Sequence, residues 1–177
     1  MVIAETFARD PDYDSLNCEA EPDHRTALGT HVRAALCHDA RMEYVPWVAL
    51  LWAFALIYIP RMGAVAAGMK AQPGGYDNSD PRAQQAQLTG AAKRAVAAHN
   101  NGIEAFPPFA VGVFAAVGRA HDKTTLIALI CIIFMIARTA YIWAYINDKP
   151  SLRSSLWSLG LLCTTALLVL GIIGPKL

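Results

Sequence analysis

Two clusters of polar residues and one flanking arginine lie within otherwise apolar sequence and could do chemistry. Arg94 and Asn101 are seven residues apart and Glu104 follows three later, so on a helix all three share one face. Arg138, Tyr141 and Tyr145 stand at offsets of 0, 3 and 7 and share another. Arg153 opens the next apolar run, where its guanidinium can reach the same end of a bundle. Arginine holds carboxylates through a planar fork of donors, and tyrosine hydroxyls add hydrogen bonds. Two outcomes are open. One is a buried Arg–Glu pair, with Glu104 neutralised by Arg138, that only fixes helix register. The other is a pocket for an anionic, partly polar ligand whose carboxylates the arginines hold. Ionisable groups at membrane depth are costly and default to a functional role.

The elements that must position these groups are membrane helices. The chain has 177 residues, 55% hydrophobic and 16% charged, against roughly 45–50% and about 25% in soluble domains. Mean hydropathy is +0.32. An ordinary soluble domain and a wholly disordered chain are both excluded. The net charge of +1, with no basic patch, excludes a nucleic-acid reading. That charge is uneven: residues 1–43 carry a net −5 and residues 44–177 a net +6. An acidic, polar arm therefore precedes a hydrophobic, basic body.

The expected fold is all-α, an integral membrane four-helix bundle with spans at about 44–69, 91–118, 124–146 and 154–175. Tyr44–Pro60 is uncharged, and the apolar run resumes after Arg61. Residues 71–90 are rich in Pro, Gly, Asp and Asn, a loop from which helix restarts near Asp80-Pro81. The uncharged part of the second span, 105–118, is too short to cross alone. It must take Glu104, Asn101, Asn100 and His99 into or near the hydrocarbon, and Pro107-Pro108 frees carbonyls one turn earlier. The third span likewise includes Arg138. Both termini then face one side, and a mild excess of Lys and Arg places the first and third loops in the cytosol or its equivalent. Cys131 and Cys163 fall in apolar runs and read as packing residues, and no metal site is expected. The first residues lack a secretory signal, so if the mature protein begins at Met1 the chain is expected to reach its membrane through its own spans. A bacterial inner membrane or an organellar one (mitochondrial inner or endoplasmic reticulum) suits it.

RAVAAHNNGIEAFPPF, residues 94–109, resembles the second-helix signature of the MAPEG family, the membrane-associated proteins of eicosanoid and glutathione metabolism. Arg94, Ala98, Asn101, Glu104 and Pro107 match. Arg138, Tyr141 and Tyr145 look like the family's third-helix pattern. Leu152-Arg153-Ser154 resembles the segment holding its thiolate-activating arginine. The second arginine of the signature is Ala97 here. The resemblance implies a homotrimer of four-helix subunits with glutathione bound between neighbours. It implies Arg94, Asn101, Glu104, Arg138, Tyr141 and Tyr145 as cofactor-binding residues and Arg153 and Ser154 as catalytic ones. Arg153 would lower the thiol pKa by its charge, for attack on or reduction of a lipophilic electrophile.

The arm is extra to a minimal bundle of this kind. Leu28, Val32 and Leu36 recur every four residues, so residues 26–41 form a candidate amphipathic helix on the membrane or a partner. His24, His31 and His38 read as a solvated or interface-facing stripe rather than a metal or haem site. The alternative to a glutathione transferase or peroxidase follows from this arm and from Ala97. It is a catalytically degenerate accessory subunit held by foreign membrane subunits through residues 1–43, as in an organellar respiratory-chain assembly. A transporter is disfavoured, because no internal repeat is present.

Overall fold

The computed structural model describes residues 42–174, and the expectations for the arm, including helix 26–41 and its histidines, lie outside them. The regular structure among the described residues is all helical. The elements are α1 Val45–Pro60, a π-helical turn Arg61–Val65, α2 Ala66–Lys70, α3 Pro81–Ala86, α4 Gly90–Arg119, a 3-10 turn His121–Lys123, α5 Thr124–Ile146 and α6 Pro150–Ile173. Three helical stretches are long and apolar enough to cross a membrane: Val45–Lys70, Thr124–Ile146 and Pro150–Ile173. α4 has 30 residues, ample length, but its first half carries the polar residues Lys93, Arg94, His99, Asn100, Asn101 and Glu104. It packs against α1, α5 and α6, and α5 also packs on α6 and α1.

Local chemistry explains the ends. Asp80 caps α3 by accepting from the Ala83 N–H at 3.1 Å, with Pro81 in the first turn, where its missing N–H costs nothing. α6 starts at Pro150, four residues before the apolar run, for the same reason. The 71–80 loop is organised by the buried Gln84 side chain, which donates to Gly75 O at 2.6 Å and accepts from the Asp77 N–H at 3.1 Å. Beside it, Asp77 accepts from the Ser79 hydroxyl and N–H. These bonds, the hydroxyl's first, hold its exposed carboxyl below the usual carboxylate range.

Pro60 disturbs the first helix. It offers no N–H, the Arg61 N–H bonds Tyr58 O, and the chain widens into the π turn. The loosened Ile57 carbonyl is taken by His99 of α4, whose Nδ1 lies 2.7 Å away. A carbonyl only accepts, so Nδ1 carries the proton.

The main core joins all four long helices. Phe109 of α4 stacks on Phe134 of α5 with centroids 3.6 Å apart and planes 2° from parallel, and Val113, Ile127, Cys131, Cys163 and Leu167 fill in around them. Both cysteines are buried and free. The α4–α6 seam is tighter still. A Cβ at Gly171 would stand 2.5 Å from Ala115 Cβ and 2.9 Å from its carbonyl carbon. Gly171→Val is therefore expected to lose about 1–3 kcal/mol by overpacking. Gly118→Ala, where a Cβ meets nothing within 4 Å, is expected to gain about 0.5–1 kcal/mol from helix propensity. Thermal unfolding of both variants in one detergent checks the contrast, and equal midpoints would contradict the seam.

Candidate functional site

The residues singled out for their chemistry come together as a chain of contacts running along α5 and onto α6. Arg138, in the middle of α5, is 6% exposed. Its Nη1 donates to Asn101 Oδ1 at 3.0 Å, and its guanidinium carbon lies 4.5 Å from the centre of the Tyr141 ring. Tyr141 meets Tyr145 edge-on at 5.5 Å. Arg153, in the first turn of α6, places its guanidinium 4.8 Å from the Tyr145 ring centre. Such stacking is worth about 0.5–2 kcal/mol, more as water is excluded. The order is Asn101, Arg138, Tyr141, Tyr145, Arg153, from mid-helix to the membrane side where α5 ends and α6 begins.

Helical spacing produces this. Offsets of 3 and 4 stack Arg138, Tyr141 and Tyr145 on one face of α5. The short turn 147–149 then reverses the chain so that Arg153 faces back. Gly160 lies one helix over from Arg138: a Cβ there would be 3.5 Å from Arg138 Cδ, and any larger side chain would press on the guanidinium stem.

Three expectations are adjusted. Arg138 is paired with Asn101 and forms no ion pair with Glu104: among the described residues the only ion pairs are Arg94–Asp148 and Lys123–Asp122. Asn101 lies three residues before Glu104, almost a full turn nearer the α4 N-terminus, and that is the level Arg138 reaches. Glu104 is instead exposed on the surface of the protomer. Arg94 turns away from Asn101, its Nε donating to Ile146 O at 3.0 Å and its Nη1 lying 3.8 Å from the Asp148 carboxylate. Ser154 is exposed, and its hydroxyl donates to Pro150 O at 3.0 Å.

A cleft of about 150 Å³ opens beside Arg138 between α4, α5 and α6. Asn101, Glu104 and Arg138 give it one polar wall, and Phe134, Trp157 and Leu161 are among its apolar lining. It combines a buried cation, an exposed carboxylate, an amide and an apolar floor. Ligand pockets commonly hold roughly 300–1,000 Å³, so within one protomer this cleft is smaller than a typical ligand pocket. Among the described residues no group of His, Cys, Asp or Glu is arranged to hold a metal ion. Sequence reasoning missed Trp157 and Gly160, whose only signal was their place one and two turns after Arg153 on α6. It also missed His99 as the partner of Ile57: Pro60 by itself frees Leu56 O, four residues earlier, and Ile57 O is released only because the Arg61 N–H turns to Tyr58 O.

The sequence profile of the MAPEG family matches residues 44–173. No curated protein and no solved structure matches the chain.

Proposed function

The chain belongs to the MAPEG family, an integral membrane family of glutathione and eicosanoid metabolism, and on that premise we propose a glutathione-dependent transferase or peroxidase acting on a lipophilic electrophile. In this reading α4 crosses the membrane as a fourth span, supported by its length and its packing against three apolar helices. The exposed Glu104 carboxylate at membrane depth then needs cover. A second and third copy of the chain supply it, closing the cleft as a site between subunits of a homotrimer.

The observation that carries the reading is Arg153. Its half-buried guanidinium rests on the Tyr145 ring, yet among the described residues none of its N–H groups donates a hydrogen bond to an acceptor. A guanidinium held over a ring in this way presents its fork of donors to a carboxylate or thiolate. Glutathione fits the donor set, since Arg138, Asn101 and the tyrosines suit its carboxylates and Glu104 suits its amine. Bound there, it supplies a sulfur nucleophile. Arg153 favours the ionised sulfur by its charge, the tyrosine hydroxyls orient polar groups beside it, and Phe134, Trp157 and Leu161 admit an apolar partner from the bilayer while excluding water. Ser154, on the same turn, lies near enough in sequence to assist once its bond to Pro150 is exchanged.

The second reading, a degenerate accessory subunit of a larger membrane complex, is favoured by one observation. Ala97 stands where the signature has an arginine, and losing a charged hydrogen bond to a carboxylate commonly costs about 1.5–3 kcal/mol. Native mass analysis in mild detergent, with and without glutathione, separates the readings. A homotrimer binding about one glutathione per interface is expected. A single copy retained among unrelated polypeptides, and released from them when residues 1–43 are deleted, would establish the accessory reading instead.

A further inference from the structure

The turn between α5 and α6 breaks a local rule. The Lys149 N–H donates to Ala144 O at 2.9 Å and the Asp148 N–H to Tyr145 O at 3.3 Å. This is the six-to-one and five-to-two pair that ends a helix on a left-handed residue, a place where glycine is preferred. Here it is Asp148, with φ +57°, the only non-glycine residue at positive φ among those described. Glycine would make the same turn with less strain. The aspartate adds a carboxylate 3.8 Å from Arg94 Nη1, while Arg94 Nε holds Ile146 O at the end of α5. Arg94 is half-buried but Asp148 is mostly exposed, so the pair contributes little energy. Arg94 ties the start of α4 to the last turn of α5 through Ile146 O, and the Asp148 carboxylate steers the far end of that guanidinium toward the reversal.

That reversal sets where α6 begins. The Arg153 N–H bonds Lys149 O, the residue after Asp148, and the Arg153 guanidinium rests on the Tyr145 ring, with Tyr141 within reach of its charge. We infer that Asp148 is a positioning residue, whose pairing with Arg94 fixes the α5–α6 turn so that Arg153 stays over Tyr145. Its consequence for catalysis rests on the role proposed above for Arg153. Its geometric content does not.

The test labels Tyr145 with 3-fluorotyrosine in the full-length protein in detergent and follows its fluorine resonance. Arg153→Gln defines the shift caused by losing the guanidinium. Asp148→Gly, which suits the left-handed turn, is expected to keep or raise the thermal midpoint yet reproduce most of that shift. Asp148→Asn, which tolerates the same φ without the charge, should do likewise, and Asp148→Glu should restore part of the original resonance. If Asp148→Gly and Asp148→Asn leave the resonance where it stands, Asp148 only forms a turn and the inference is overturned. In parallel, the ultraviolet band of bound glutathione thiolate is titrated, and Asp148→Gly should move its midpoint to higher pH. Absence of that band in the unaltered protein would remove the glutathione reading, while the fluorine comparison would still decide the role of Asp148.

Discussion

Replacing Arg153 by alanine is expected to lower glutathione-dependent kcat/KM by roughly 10²–10³-fold, the usual effect of removing one preorganised charged donor from a developing anion. Arg153 is the guanidinium with unused donors at the end of the Asn101–Arg138–Tyr141–Tyr145 chain. The sign of the pH effect follows directly. A nearby positive charge favours the ionised thiol, so its removal raises the thiol pKa and moves the rising limb of the rate profile to higher pH. At sufficiently alkaline pH the variant recovers part of its rate. Arg153→Lys keeps the charge but loses the flat guanidinium that lies over Tyr145, and should fall between the two. Steady-state rates across pH for the three proteins check this. A variant with the parent profile would mean that Arg153 touches no reacting atom.

The largest loss of stability is expected from Phe109→Ala. Phe109 is fully buried and stacked face to face on Phe134, so its removal leaves a hole that helix backbones cannot collapse to fill. Such truncations cost about 3–5 kcal/mol in soluble cores. In a bilayer the separated helices still meet apolar lipid, which removes part of the transfer contribution and leaves the packing one. A loss near the lower end, about 3 kcal/mol, follows. Phe109→Leu, which retains most of the volume, should lose about half of that. Phe134 also lines the cleft beside Arg138, so freeing its other face should weaken ligand binding by more than Phe109→Leu does. Thermal unfolding together with glutathione titration would show both effects. A large loss of stability with unaltered binding would separate the core from the cleft.

Much of this arrangement was legible in the sequence because helices convert spacing into direction. Arg138, Tyr141 and Tyr145 fall on one face by counting alone, and the apolar runs bound α1 and α5 closely. Partners across helices were less legible. Arg94 and Asn101 do share a face, but seven residues put them about 10 Å apart, and each meets a different part of α5. Whether Arg138 meets Asn101 or Glu104 depends on the axial offset of two neighbouring helices, which no local pattern records. The early start of α6 did have a signal in Pro150. The uncharged run from Ser154 outweighed it, because hydropathy marks what lies in lipid rather than where hydrogen bonding begins.

The close approach of α4 and α6 has a mechanical consequence. Around Ala115 and Gly171 the two helices touch with no room for a methyl group, whereas toward Asn101 and Trp157 the same pair diverges around the cleft. The pair is thus a set of tongs closed at one end. The closure runs on to Gly112, where a Cβ would stand 3.1 Å from Leu167 Cβ and 3.3 Å from Thr164 O, so the free arm is the single turn from Thr164 to Gly160, about 6 Å. A pivot of about 5° about that closure would move the cleft wall by only about 0.5 Å, so the clamped seam fixes the width of the notch, and what enters it must fit a preformed shape.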